Sequence, residues 1–372
     1  MTRLLFLLVL TAGMAMGCNE PIEHPAPTPG VGQISVIDQI GPAGKTGWWP
    51  TIALDSTERP HLAWCDVWNG DLKYAHRADD GSWTPVTVAQ EGAVGKYTSL
   101  AVGPNDRPAI SYYDQTMKFL KFTFQDAEGK WHHENVAWGL EAGMGSELRF
   151  DKQGRPNLFY YLPSGKLVHG RRSKDGVWTK KVMLEVTGAF SVKISPVLRD
   201  DGFWVSFVNW NFKDTILHLA RPKDQDAQTY STEVIAERNG PGWRSQLFFE
   251  NNKPQILYSQ NKRRQVWLAE TSSEGWKHSQ ILHNVLTFSG KLTDQKTYAI
   301  AYEDMTGPST ETSGLVKILR GRGSVWKQVS VDHEGPGGEH LSMVTTREGK
   351  AIVAYFSRTI RGLKVYDETV KP

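Results

Sequence analysis

Arg107-Pro108-Ala109-Ile110-Ser111-Tyr112-Tyr113-Asp114, followed by Leu120-Lys121-Phe122-Thr123 and Gly129-Lys130-Trp131, is the stretch that decides the architecture. Forty-eight residues earlier the chain reads Arg59-Pro60-His61-Leu62-Ala63-Trp64-Cys65-Asp66, then Leu72-Lys73-Tyr74-Ala75 and Gly81-Ser82-Trp83. Forty-eight residues later it reads Arg155-Pro156-Asn157-Leu158-Phe159-Tyr160-Tyr161, then Leu167-Val168-His169 and Gly176-Val177-Trp178. Weaker copies continue the series when the aromatic is used as marker: Trp64, Tyr112, Tyr160, Phe207, Tyr258, Tyr302 and Tyr355. A period of about 48 residues holds four short strands and their turns. Each copy reads as strand, polar turn, strand, variable loop, strand, Gly turn, and a strand opened by Trp. The predicted fold is therefore all-β, a seven-bladed β-propeller of four-stranded blades.

Ring closure tests that count. The seventh copy ends at Gly362-Leu363-Lys364-Val365-Tyr366 without a Trp-led fourth strand. The missing strand is found at the start, where Gln33-Ile34-Ser35-Val36-Ile37-Asp38 matches Pro85-Val86-Thr87-Val88-Ala89-Gln90. An N-terminal strand that completes the last blade would pair two otherwise open edges.

Composition agrees with repeated β structure and narrows the partners. The 372 residues include 35 Gly and 14 Trp, with 43 basic against 40 acidic side chains and a formal charge of +3. That balance argues against nucleic acid, which calls for a basic excess, and points to a neutral or mixed-charge ligand. Five of the Trp, at 83, 131, 178, 276 and 326, fall at one repeat position and read as packing between blades. Cys65 takes an aromatic position of the repeat and reads as a buried thiol. With Cys18 the only other cysteine, the mature domain has no internal disulfide.

The first residues form an export address. Arg3, the apolar run Leu4 to Leu10, and Ala15-Met16-Gly17-Cys18 make a signal peptide over residues 1–17. The small residue before Cys18 resembles the bacterial lipobox, which implies a lipidated Cys18. Asn19 after it resembles an outer-membrane address. Residues 18–32 are rich in proline and read as a tether, with the propeller over 33–372. Membrane contact is then expected through the lipid alone, on a monomer.

The Ile-Ser-Tyr-Tyr-Asp and Leu-Lys-Tyr-Ala motifs resemble those of secreted bacterial propellers and, more distantly, sialidase-like ones. Ser173-Lys174-Asp175-Gly176-Val177-Trp178 and Ala78-Asp79-Asp80-Gly81-Ser82-Trp83 are each two residues short of the sialidase Asp box between Asp and Trp. The resemblance implies a fold and leaves the activity open.

Strand alternation puts the blade-to-blade links and the second-to-third-strand loops on one face. That face varies from blade to blade, as a site grafted on a repeated scaffold would. Its links carry Trp48, Trp49, Tyr97, Trp243, Arg244 and His340, and its loops carry Asp66, Asp114 and Glu303. Aromatics beside carboxylates and arginines suit carbohydrate, since ring faces cover the apolar side of a sugar while polar groups take its hydroxyls. Asp66 and Asp114 recur, so a turn-capping role competes with ligand contact there. No catalytic elbow, zinc helix or paired-cysteine motif is present in the sequence, and no cofactor or metal is expected. Two functions remain: a surface lipoprotein that binds a glycan or protein on the propeller face without catalysis, or a carbohydrate-active enzyme. In the enzyme, a sialidase-like hydrolase or a polysaccharide lyase, Arg244, Arg263 and Arg264 would grip an anionic sugar while Tyr97, His340 or Glu303 act as acid, base or nucleophile.

Overall fold

The computed structural model describes residues 24–39, 44–139, 142–185, 189–190, 193–210, 214–223, 229–237, 241–260, 264–306, 314–332 and 335–370; the side chains of Ala189, Phe190, Trp210, Trp243 and Glu339 lie outside that description. Cys18 and its flanks also lie outside the described residues.

Seven sheets, antiparallel but for one short added strand, form the ring. Blade 1 consists of Thr46–Leu54, Pro60–Asp66, Asp71–His76 and Val86–Ala89, paired in chain order from the axis outward. The inner strands of blades 2 and 3 are Lys96–Val102 and Glu147–Phe150. Blade 4 has a split inner strand, Ala189–Phe190 and Ser195–Arg199, both paired with Gly202–Trp210. Blades 5, 6 and 7 begin with Pro241–Glu250, Val285–Leu292 and Gly337–Thr345. The only helix among the described residues is one 3-10 turn, Pro104–Asp106.

The second strand of a blade is covered by neighbours on both faces, which is why it reads as an unbroken apolar run. Pro60–Asp66, Pro108–Asp114, Tyr298–Asp304 and Ala351–Ser357 are buried along their whole length. The core is correspondingly shared between blades. Ile52 and Leu62 of blade 1 pack with Ile352 and Leu363 of blade 7, and Leu120 and Phe122 of blade 2 with Leu148 and Leu158 of blade 3. The repeated Trp join these seams: Trp131 meets Tyr74 edge-on at 5.2 Å and Trp178 meets Phe122 at 5.3 Å.

Closure follows the predicted arrangement. Gln33–Asp38 pairs antiparallel with Gly362–Asp367 as the outer strand of blade 7, for instance Val36 opposite Lys364. Asp38, at the end of that strand, accepts hydrogen bonds from Trp64 Nε1 at 2.8 Å and Thr46 Oγ1 at 2.7 Å, both of blade 1. The closing strand is thus fixed to the first blade as well as the last.

The proline-rich segment, expected to hold the domain away as a spacer, lies along the ring from His24 onward. Thr28–Pro29 pairs in parallel with Val329 and Ser330 on the outer strand of blade 6. The His24 ring sits edge-on to Trp326 at 5.8 Å, and Nε2 lies 2.5 Å from the Ile281 carbonyl of blade 5.

Candidate functional site

The inner strands hold the site because their register is interrupted where they reach one face. Two steps in the second strand of blade 2, Tyr113 to Ser111, oppose three in its inner strand, Lys96 to Ser99. Comparable bulges interrupt blades 1, 5, 6 and 7. A bulge bends its strand and re-aims a side chain. At this point the backbone is left-handed at Trp49 (φ 49°) and Tyr97 (φ 55°), a conformation large residues rarely adopt. The Thr98 hydroxyl donates to the Trp49 carbonyl and holds the turn.

Below the bulges, strand pairing aligns one residue from each blade. These are Thr51, Ser99, Glu147, Ser195, Gln246, Ser289 and Ser342, each opposite the residue before the marker aromatic. Their side chains tie one blade to the next. Ser99 Oγ accepts from Leu148 N at 3.0 Å, Ser195 from Leu247 N at 2.9 Å, Ser289 from Met343 N at 3.1 Å and Ser342 from Ile52 N at 3.4 Å. Gln246 Oε1 accepts likewise from Gly290 N. The junction of blades 3 and 4 departs from this pattern. Its acceptor is a carboxylate, Glu147, and the residue that would donate is Pro196, which has no N–H. Glu147 instead meets Arg149 at 3.1 Å and Lys193 at 3.3 Å, while remaining only 8% exposed.

Two residues nearer the face, the equivalent positions are Trp49, Tyr97, Gly145, Lys193, Arg244, Thr287 and His340. All except Thr287 line one pocket at the channel mouth, with Pro50, Thr98 and Leu341. Trp49 stacks obliquely against Tyr97 at 4.8 Å and His340 at 5.2 Å, and Lys96 Nζ lies 5.9 Å from the Trp49 ring. Trp48 packs behind, 4.9 Å from His340 and 5.9 Å from Phe356. Gly145 leaves a notch in this ring, above Glu147. Two residues deeper, Arg149 and Lys291 take positions that are Ala53, Ala101, Val197, Phe248 and Val344 in the other blades.

The electrostatics are dominated by cations. Arg149, Lys193, Arg244 and Lys291 line the channel with Glu147 as their one carboxylate among the described residues. The near-neutral chain therefore has a basic axis, which its total charge conceals. Burial pushes Arg244 down to about 10, although Glu303 and Glu147 act to raise it. Burial pushes Lys291 down to about 8, helped by Arg149 and opposed by Glu147. His340 is held down to about 3 by burial, then by Arg244, Lys193 and Arg358, so it is neutral at ordinary pH. Its Nε2 is buried with no hydrogen-bond partner among the described residues.

The structure thus brings together Trp48, Trp49, Tyr97, Arg244 and His340, five of the residues expected on this face. Three others sit elsewhere. Asp66 caps its turn, accepting from Trp68 N and Asn69 N at 3.1 Å and Asn69 Nδ2 at 2.8 Å. Asp114 accepts from Met117 N at 2.9 Å and pairs with Lys121 at 2.8 Å, fully buried. Glu303 is buried at the seam of blades 6 and 7, bound to Arg358 at 2.9 Å, and does not line the mouth. Arg264 is an exposed turn residue in blade 5, outside the pocket. Arg263 and the Trp243 side chain lie outside the described residues. The buried Cys65 thiol is pushed up to about 12 by burial and donates to Val94 O, which suits packing rather than reaction. Sequence reasoning missed Glu147, Arg149, Lys193 and Lys291. For Glu147, Arg149 and Lys291 the available signal was a charge at an inner-strand position that is uncharged in most other blades; Lys193 lies before its strand at a position that varies from blade to blade.

No protein-family model matches the chain, and no curated protein sequence does. Solved structures do match, at low identity. AofleA from Arthrobotrys oligospora is 12% identical with a TM-score of 0.50, covering 84% of this chain and 95% of its own. The SapL1 lectin, solved with alpha methyl fucoside, is 11% identical with a TM-score of 0.52, covering 77% and 97%. The sialidase NanB from Streptococcus pneumoniae is 9% identical with a TM-score of 0.46, covering 90% and 69%. The class these sheets define is a seven-bladed β-propeller.

Proposed function

We propose that this propeller binds a glycan at its channel mouth without transforming it. The observation that carries the reading is the pocket itself: Trp49 and Tyr97 turned into one wall by left-handed bulges, with Arg244 and Lys193 opposite. Such a wall covers the apolar face of a sugar ring while the cations take hydroxyl or acidic groups. Hydrolysis by a carboxylate pair needs a second acid. Glu147 is the one carboxylate lining the channel among the described residues, and its charge is spent on Arg149 and Lys193. His340, neutral down to about 3, is a weak base. These features favour retention over turnover.

A glycan array probed with the full chain, beside a reducing-sugar release assay, tests the proposal. Retention of one glycan class that is lost in Trp49→Ala, with no sugar released, is the expected result. Release of reducing sugar would replace it with the hydrolase reading, and failure of every glycan to bind would leave a protein ligand. We further propose that Cys18 is lipidated and holds the propeller at the outer membrane. Metabolic labelling with palmitate should mark the chain and not its Cys18→Ala variant.

A further inference from the structure

The channel continues beyond the mouth pocket to the opposite face. Lys193 and Arg244 belong to both the mouth and the channel, whereas Arg149 and Lys291 belong to the channel and to the cleft at its far end. Glu147 is already engaged by Arg149 and Lys193. Neither the Arg244 guanidinium nor the Lys291 ammonium has a carboxylate within ion-pair distance among the described residues. Among the described residues, that leaves the two positive charges of Arg244 and Lys291 without an ion-pair partner in a narrow, partly desolvated space. Unpaired charge in such surroundings is costly unless a counter-ion joins it.

The surplus is an addition to the scaffold, since apolar residues fill the Arg149 and Lys291 level in the other five blades. Hydrogen-bond donors are also at hand. Ser195 and Ser289 use their oxygens to accept backbone N–H groups from the next blade, which leaves each hydroxyl proton to be given to a ligand. Both serines line the channel.

We propose that the central channel is an oxyanion site, taking a sulfate, phosphate or carboxylate group between Arg244 and Lys291. The anion is either a free inorganic ion or the acidic substituent of a saccharide seated on Trp49. The second source rests on the glycan reading above; the first does not.

Thermal unfolding of the full chain in sodium sulfate, against sodium chloride at equal ionic strength, reads the site directly. A saturable rise in Tm specific to sulfate is expected. In the Arg244→Gln, Lys291→Gln double variant the apparent affinity should fall about tenfold or more. Glu147→Gln should bind sulfate more tightly than the parent, a gain that damaged folding cannot produce. Equal Tm in the two salts, or a sulfate response unchanged in the double variant, would overturn the proposal. Glucuronate and glucose then separate the sources. Competition with sulfate by glucuronate alone, weakened in Trp49→Ala, identifies a saccharide acid. A sulfate response indifferent to both sugar and Trp49 identifies a free ion and lets the channel site stand even where the glycan reading fails.

Discussion

Trp49 occupies a backbone conformation that its size opposes, held by Thr98 and by rings on either side. Its half-buried ring is the most ligand-like surface at the mouth, so Trp49→Ala should weaken glycan retention about tenfold, the scale of one aromatic contact. Because neighbouring rings rather than the core surround it, the Tm should change little. Affinity by calorimetry and Tm on the same samples check both halves. The buried histidines give a second expectation. Burial lowers His61 to about 4, His218 to about 4 and His340 to about 3, whereas in the unfolded chain each binds a proton near pH 6.5. Between those limits the unfolded form binds more protons, so stability rises with pH across this window. The penalty is absent above about pH 6.5 and grows as the pH falls toward 3. Tm should therefore drop from pH 7 to pH 4.5, and less steeply in His340→Gln.

Strands and turns divide into repeated and unrepeated parts, and the repeated parts carry stability. On the face opposite the mouth, Asp55 accepts from Thr57 N at 2.8 Å, Arg59 N at 2.9 Å and Arg59 Nε at 2.8 Å. Asp151 repeats the pattern with Gln153 N at 3.0 Å, Arg155 N at 2.9 Å and Arg155 Nε at 2.7 Å. Trp178 Nε1 donates to Glu134 of the preceding blade at 2.9 Å, as Trp276 does to Glu233 at 2.7 Å. Trp178→Ala should cost roughly 2–3 kcal/mol, somewhat under a fully buried aromatic, and leave ligand affinity unchanged. Urea unfolding and the glycan assay, run together, test that separation.

The same division separates what is legible in the amino-acid sequence from what is not. The blades are legible because the same side chains recur at the same spacing, so each copy corroborates the rest. Trp48, Trp49, Tyr97, Arg244 and His340 stand out as unrepeated residues in links. Glu147, Arg149 and Lys291 do not, because they lie in strands, and only register places each charge level with a serine or valine of the next blade. Asp66 and Asp114 mislead for the opposite reason. Their recurrence fits a turn cap, and the hydrogen bonds at both are local.

At the scale of the whole molecule, the ring depends on its ends. Removing residues 1–38 would strip blade 7 of its outer strand and blade 1 of the Asp38 contacts. Such a truncation should melt at lower temperature and self-associate through the open edge, whereas a chain begun at His24 should melt as the full chain does. Size-exclusion chromatography and Tm of the two truncations decide this.

Pairing of Gln33–Asp38 with Gly362–Asp367 also sets an order in time. A strand made near the start is placed only after every other blade has been synthesised. A chain that stops short of Gly362 offers that strand no partner and leaves the basic channel with a gap in its wall. Closure thus serves as the molecule's own check of completeness: ligand binding at the axis should be a property of finished chains alone.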